Sequence, residues 1–143
     1  MRVLMPGLLA FAIAATLGAC GSGSEKKAPP AVSAQQRGVL DTVDSLQAAS
    51  RRGDGQQICT EIFTTRLARS IEAASKTTCA KEVKEKLFSR QAELALGRDV
   101  QFKGGRAVAT VREQTGKIST LMLVQQAGAW RIDAVKPGPN PSS

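Results

Sequence analysis

From about Arg98 the spacing of apolar residues changes from a period of 3.6 to a period of 2, which confines the chain to helices first and an antiparallel sheet after them. Four runs rich in β-formers follow the switch, near 98 to 103, 106 to 113, 117 to 125 and 129 to 135. The turns between them, Gly104-Gly105, Thr115-Gly116 and Ala127-Gly128, are short and contain glycine, so the strands form a meander. Val100 with Phe102, and Trp130 with Ile132, share faces that should meet the helices, whereas Arg131 and Asp133 face away. The third strand is apolar on both parities, with Ile118, Met122 and Val124 on one side and Leu121 and Leu123 on the other. It is expected to be covered on both faces, with a second subunit as one candidate cover. Pro137, Pro139 and Pro141 are expected to end the ordered chain, leaving residues 136 to 143 as a disordered tail.

Ahead of the strands, Ser33-Ala-Gln-Gln36 reads as a capping box, and Val39, Leu40, Val43 and Leu46 recur at helical spacing behind it. This helix should stop near Arg51, where Arg-Gly-Asp-Gly breaks the pattern. Gly53 and Asp54 are ordinary turn chemistry there, which removes the reason to read Arg52-Gly53-Asp54 as an adhesion motif. Asp54 with Gln57 reads as a second capping box, opening a short helix through Ile58 and Ile62. A third helix carries Leu67 and Ile71, and a fourth begins near Thr78 with Val83, Leu87 and Phe88 as its stripe. The run Lys81, Glu82, Lys84, Glu85, Lys86 places opposite charges at i, i+4, the pattern of a solvated face.

The N-terminus has a different character. Arg2 precedes an almost unbroken apolar run from Val3 to Leu17, about 15 residues interrupted by Pro6 and Gly7, too short for the ~20 needed to span a bilayer. It reads as a signal peptide over residues 1–19. Leu17-Gly18-Ala19-Cys20 resembles the lipobox of bacterial lipoproteins, in which the Cys carries a diacylglyceryl thioether. The resemblance implies lipid attachment at Cys20, with palmitate-like chains holding the protein at the extracytoplasmic face of a membrane. Each buried methylene contributes ~0.8 kcal/mol, so two or three long chains make a durable anchor where one does not. Residues 20–32, rich in Gly, Ser and Pro, have the composition of a tether with a reach on the order of 20 Å.

Setting Cys20 aside leaves Cys59 and Cys79, an even number in a disulfide-permissive compartment, and they are expected to pair. Two cysteines with no His in the chain cannot complete a tetrahedral zinc site, and a catalytic thiol would lack its His partner, so no metal or cofactor is expected. Without Arg2 the mature chain carries 19 basic against 12 acidic side chains, or +7. With no Tyr, one Trp and four Phe, this charge fits an anionic membrane surface and not base stacking on nucleic acid.

Helices followed by a meander that closes on Gly128-Ala-Trp-Arg-Ile-Asp133 resemble the nuclear-transport-factor-2-like superfamily over residues 33–135. Cys59 and Cys79 are similar in placement to a cysteine pair in small actinobacterial-type lipoproteins with such a domain. The resemblance implies an α+β cone, N-terminal helices packed on a curved antiparallel meander of about four strands, enclosing a pocket. It does not settle activity. The chain lacks the Tyr of ketosteroid isomerases and the His of many cyclases and dehydratases, and only Asp44, Glu93 and Asp99 stand near the expected pocket as acids or bases. Three functions follow: an accessory lipoprotein docking a protein partner or a second copy through a sheet face bearing Leu121 and Leu123; a module binding a small apolar ligand against Val43, Phe88, Phe102, Met122 and Trp130; and, third in order, an isomerase- or cyclase-like enzyme.

Overall fold

The structure is a computed structural model that describes residues 32–87, 90, 93–97 and 100–138. The segments expected to be a signal peptide and a tether, with Cys20, lie outside it up to residue 31, as do Phe88 and Asp99.

Helix α1 (Ala34–Arg52) opens on the capping box read from the sequence, with the Ser33 hydroxyl accepting from Gln36 N–H and the Gln36 side chain accepting from Ser33 N–H. It closes on Gly53, whose φ of 67° is the left-handed conformation that only glycine adopts without strain. Helix α2 (Gly55–Gln57) starts one residue later on Asp54, whose carboxylate accepts from Gln57 N–H. Only half of the second capping box forms, because the Gln57 side chain turns instead to Arg52 and Glu61. The chain continues as a wider π turn (Ile58–Ile62), followed by α3 (Thr65–Ser75) capped by Thr64, and α4 (Cys79–Glu82) capped by Thr78, which also widens into a π turn (Val83–Leu87). Glu82 and Lys86 form the expected pair at i, i+4.

A disulfide joins Cys59 to Cys79 across a sequence separation of 20, with Cα atoms 6.2 Å apart. Closing a loop of that length removes chain entropy from the unfolded state worth about 3 kcal/mol. Gly55 makes the close approach possible: a Cβ there would lie 2.1 Å from the backbone oxygen of Ala80, beside Cys79.

The sheet comprises β1 (Ala95–Leu96), β2 (Gln101–Lys103), β3 (Arg106–Arg112), β4 (Ile118–Gln126) and β5 (Ala129–Pro137), all antiparallel. Strand β3 is flanked by β4 on one side and by β1 and β2 on the other, and β5 pairs with β4. Five strands thus replace the expected four, since β1 is only two residues long and leaves no periodic signature. Strand β5 also runs on to Pro137, and Gly138 N–H donates to Ile118 carbonyl, so the ordered chain passes the expected boundary at 135.

The core lies between α1 and one face of this sheet. Val39, Val43 and Leu46 of α1 pack in one cluster with Ala107, Ala109, Val111, Leu121, Leu123, Trp130 and Ile132. Trp130 and Ile132 meet the helices as expected: the indole lies against Gly38, and Thr42 Oγ1 donates to Trp130 carbonyl. The third strand corrects its reading. Leu121 and Leu123 are 0% and 1% exposed, whereas Met122 is 37% exposed. The register explains it, because Leu121 and Leu123 stand opposite Ala109 and Ala107, whose small side chains leave room for them on the helix side.

Candidate functional site

Because side chains alternate along a strand, burying Ala107, Ala109, Val111, Leu121 and Leu123 sends the intervening residues to the face turned away from α1. Across that open face the register sets Lys103 opposite Arg106, Arg106 opposite Val124, and Val108 opposite both Gln101 and Met122. Val108 is 36% exposed, so with Met122 it leaves an apolar floor in water. A depression of about 680 Å³ opens here, lined by Val108, Met122 and Val124 and edged by Lys103, Arg106 and the Arg66–Asp133 pair.

Asp133 owes its position to an irregularity. Leu123 pairs with Ile132 but Met122 pairs with Ala134, so Asp133 is the extra residue of a β-bulge, aimed aside from the ladder. Arg66, in the first turn of α3, holds it bidentately, with Nε 3.0 Å from Oδ1 and a second nitrogen on Oδ2, and the same nitrogen also donates to the Asp133 carbonyl at 2.8 Å. Thr64 Oγ1 adds a hydrogen bond of 2.8 Å to Oδ1. The Arg66 guanidinium holds the Asp133 carboxyl below its ordinary pKa, helped by Thr64 and by the field of Arg106, while partial burial opposes the shift. Arg66 is raised in turn by the same hydrogen bond.

Arg131 is engaged as well, donating to the carbonyls of Thr60 and Phe63. Among the described residues neither Lys103 nor Arg106 has an ion-pair partner. Two exposed cations therefore stand opposite each other at the β2–β3 turn, and Asp133, which lies within the field of Arg106, is committed by hydrogen bonds to Arg66. Like charges directly opposite are unfavourable in a sheet, and an anion between them would relieve the repulsion.

Of the five residues expected to line an enclosed pocket, the four that are described do not all line one cavity. Val43 is in the core, and Trp130 is buried against Gly38 with Phe102 edge-on to it, ring centroids 5.8 Å apart. Phe102 and Met122 both border the depression, the latter from the open face, and Phe88 lies outside the described residues. Of the candidate acids, Asp44 is exposed, Glu93 is exposed and paired with Arg51 at 3.3 Å, and Asp99 lies outside the described residues. The sequence reading passed over Glu113, a buried carboxylate closing β3. Lys117 Nζ stands 3.5 Å from its Oε1, an ion pair by distance, yet that oxygen has no hydrogen-bond partner and is absent from the lining of the depression. Among the described residues no cluster of three or more His, Cys, Asp or Glu has the makings of a metal site.

No protein-family model matches the chain, and no curated protein matches it. A crystal structure of an NTF2-like protein of unknown function from Shewanella baltica OS155 superposes with a TM-score of 0.50, covering 73% of this chain and 95% of that one at 13% identity. The fold is NTF2-like. At that identity the likeness concerns the α+β architecture alone, so the NTF2-like scaffold says how the open face is built and leaves its use to the residues on it.

The residues passed over in the sequence have unequal signals. Lys103-Gly104-Gly105-Arg106 was legible, since a two-residue glycine turn sets its flanking residues opposite each other on one face. Asp133 and Arg66 were not, because a bulge in β5 and a pairing across 67 positions leave no periodic trace.

Proposed function

We propose that this chain is a lipid-anchored extracytoplasmic lipoprotein whose NTF2-like domain is a non-catalytic binding module, working through the open face of its sheet. One observation carries the reading of the domain: the helix side of the sheet packs into the core cluster, while the opposite face holds a depression with an apolar floor and two cations that have no ion-pair partner among the described residues. Catalysis in such a site would need a poised acid or base, and Asp133, the carboxylate at its edge, is held ionised by Arg66 and Thr64. The anchor is supported by the lipobox-like Leu17-Gly18-Ala19-Cys20 behind its apolar run, and by a cystine suited to an oxidising compartment.

Metabolic labelling tests the anchor. Expressed with its leader in a bacterial host, the chain should take up labelled palmitate and sediment with membranes, and Cys20→Ser should lose both properties. An unlabelled wild-type chain in the membrane fraction would refute lipid attachment.

A further inference from the structure

The open face has a definite end. Helix α1 begins at Ala34, and five residues after its cap Gly38 touches Trp130, at the start of β5. Trp130 pairs with Gln125, and Gln125 N–H donates to Gly105 carbonyl in the β2–β3 turn. The far end of α1 is marked independently: Gln47 accepts from Leu94 N–H, Arg51 pairs with Glu93, and β1 pairs with the Arg112 end of β3. The chain therefore enters the domain at the end that carries Lys103 and Arg106, while Lys81 and Lys84 sit beside Gly53 and Asp54, about 28 Å along α1 at 1.5 Å per residue.

We propose that the depression takes an anionic phospholipid of the membrane that holds the chain, its headgroup between Lys103 and Arg106 and its apolar part over Val108, Met122 and Val124. This rests on the lipid-anchor reading for its source of ligand, since a tether reaching on the order of 20 Å keeps this end of the domain close to the lipid surface. Three observations favour this occupant: the charge complementarity of two facing cations with no ion-pair partner among the described residues, an exposed apolar floor contiguous with them, and the position of both at the end where the chain enters. A headgroup phosphate satisfies the cations and an acyl segment covers the floor, which a free anion cannot do.

The test uses the mature chain with Cys20→Ser, sedimented with vesicles of phosphatidylcholine alone or mixed with phosphatidylglycerol. Binding to the mixed vesicles is expected, with release when salt shortens the Debye length to about 3 Å. Replacing Lys103 and Arg106 together by Gln should weaken binding about thirty-fold, at about five-fold for each cation lost. The pair Lys81→Gln and Lys84→Gln removes the same charge at the far end and should leave binding nearly unchanged; Met122→Gln should weaken it several-fold. Thermal unfolding of each variant separates loss of binding from loss of fold, and the salt arm on the unsubstituted chain needs no variant. Equal losses from both cation pairs would reduce the effect to net charge and overturn the proposal. So would indifference to phosphatidylglycerol, or competition by soluble glycerol phosphate as strong as that by vesicles. Vesicle binding by a chain that fails to take up palmitate would sink the anchor and leave the lipid site standing.

Discussion

The Asp133 carboxylate ties two distant elements together: Thr64 and Arg66 reach it across 69 and 67 positions and fix the start of α3 to the bulge in β5. Its depressed pKa is a statement about stability. The unfolded chain titrates near the ordinary ~3.9, so the stabilisation is complete above that value and is lost as pH falls through the lower folded-state value. Asp133→Asn should cost about 1 kcal/mol at neutral pH, discounting for solvent screening around the exposed Arg66. Its unfolding free energy should also fall less steeply than that of the unsubstituted chain on acidification below about pH 4. Denaturant titrations at several pH values check this; parallel acid limbs would show that Asp133 is not the group responsible. None of this was legible beforehand, because the sequence reading placed Asp133 on the outer parity of a regular strand and had no way to see that one inserted residue would aim it at α3.

At the scale of elements, what reached the structure intact were features encoded in neighbouring residues. The Ser33–Gln36 capping box, the Gly53 stop, the Asp54 cap and the three glycine-containing turns stand where they were read, since each depends on groups within four positions. Strand β4 shows the opposite case. Apolar on both parities, it offers no local reason to bury one set, and the choice is made by Ala107 and Ala109 across the ladder. Hence Leu121→Ala should cost 2–5 kcal/mol, opening a cavity under α1, while Met122→Ala should stay within about 0.5 kcal/mol. Equilibrium unfolding of the two variants measures the difference directly, and similar losses would mean that the strand faces are misassigned. The same reasoning moves the proposed binding surface from Leu121 and Leu123, which are buried, to Val108 and Met122, which are exposed.

Among the described residues of the domain, helix packing fills one side of the sheet and leaves Val108 and Met122 exposed on the other, and α1 runs its length between the Lys103–Arg106 end and the end where Arg51 pairs with Glu93. A formal charge of +8 gave no hint of where its cations would meet; the β2–β3 turn sets two of them opposite each other at the end of the domain where α1 begins. The anchor and the lipid site proposed above make one geometric claim: the domain is held with its Lys103–Arg106 end toward the lipid. Fluorescence quenching reads that orientation in the lipidated full chain. Fluorescent amino acids placed singly at Gln126, the last residue of β4, and at Lys84, beyond the far end of α1, would be exposed to lipids carrying a headgroup quencher. The probe at 126 should be quenched strongly and the probe at 84 weakly; equal quenching, or the reverse order, would contradict the claim.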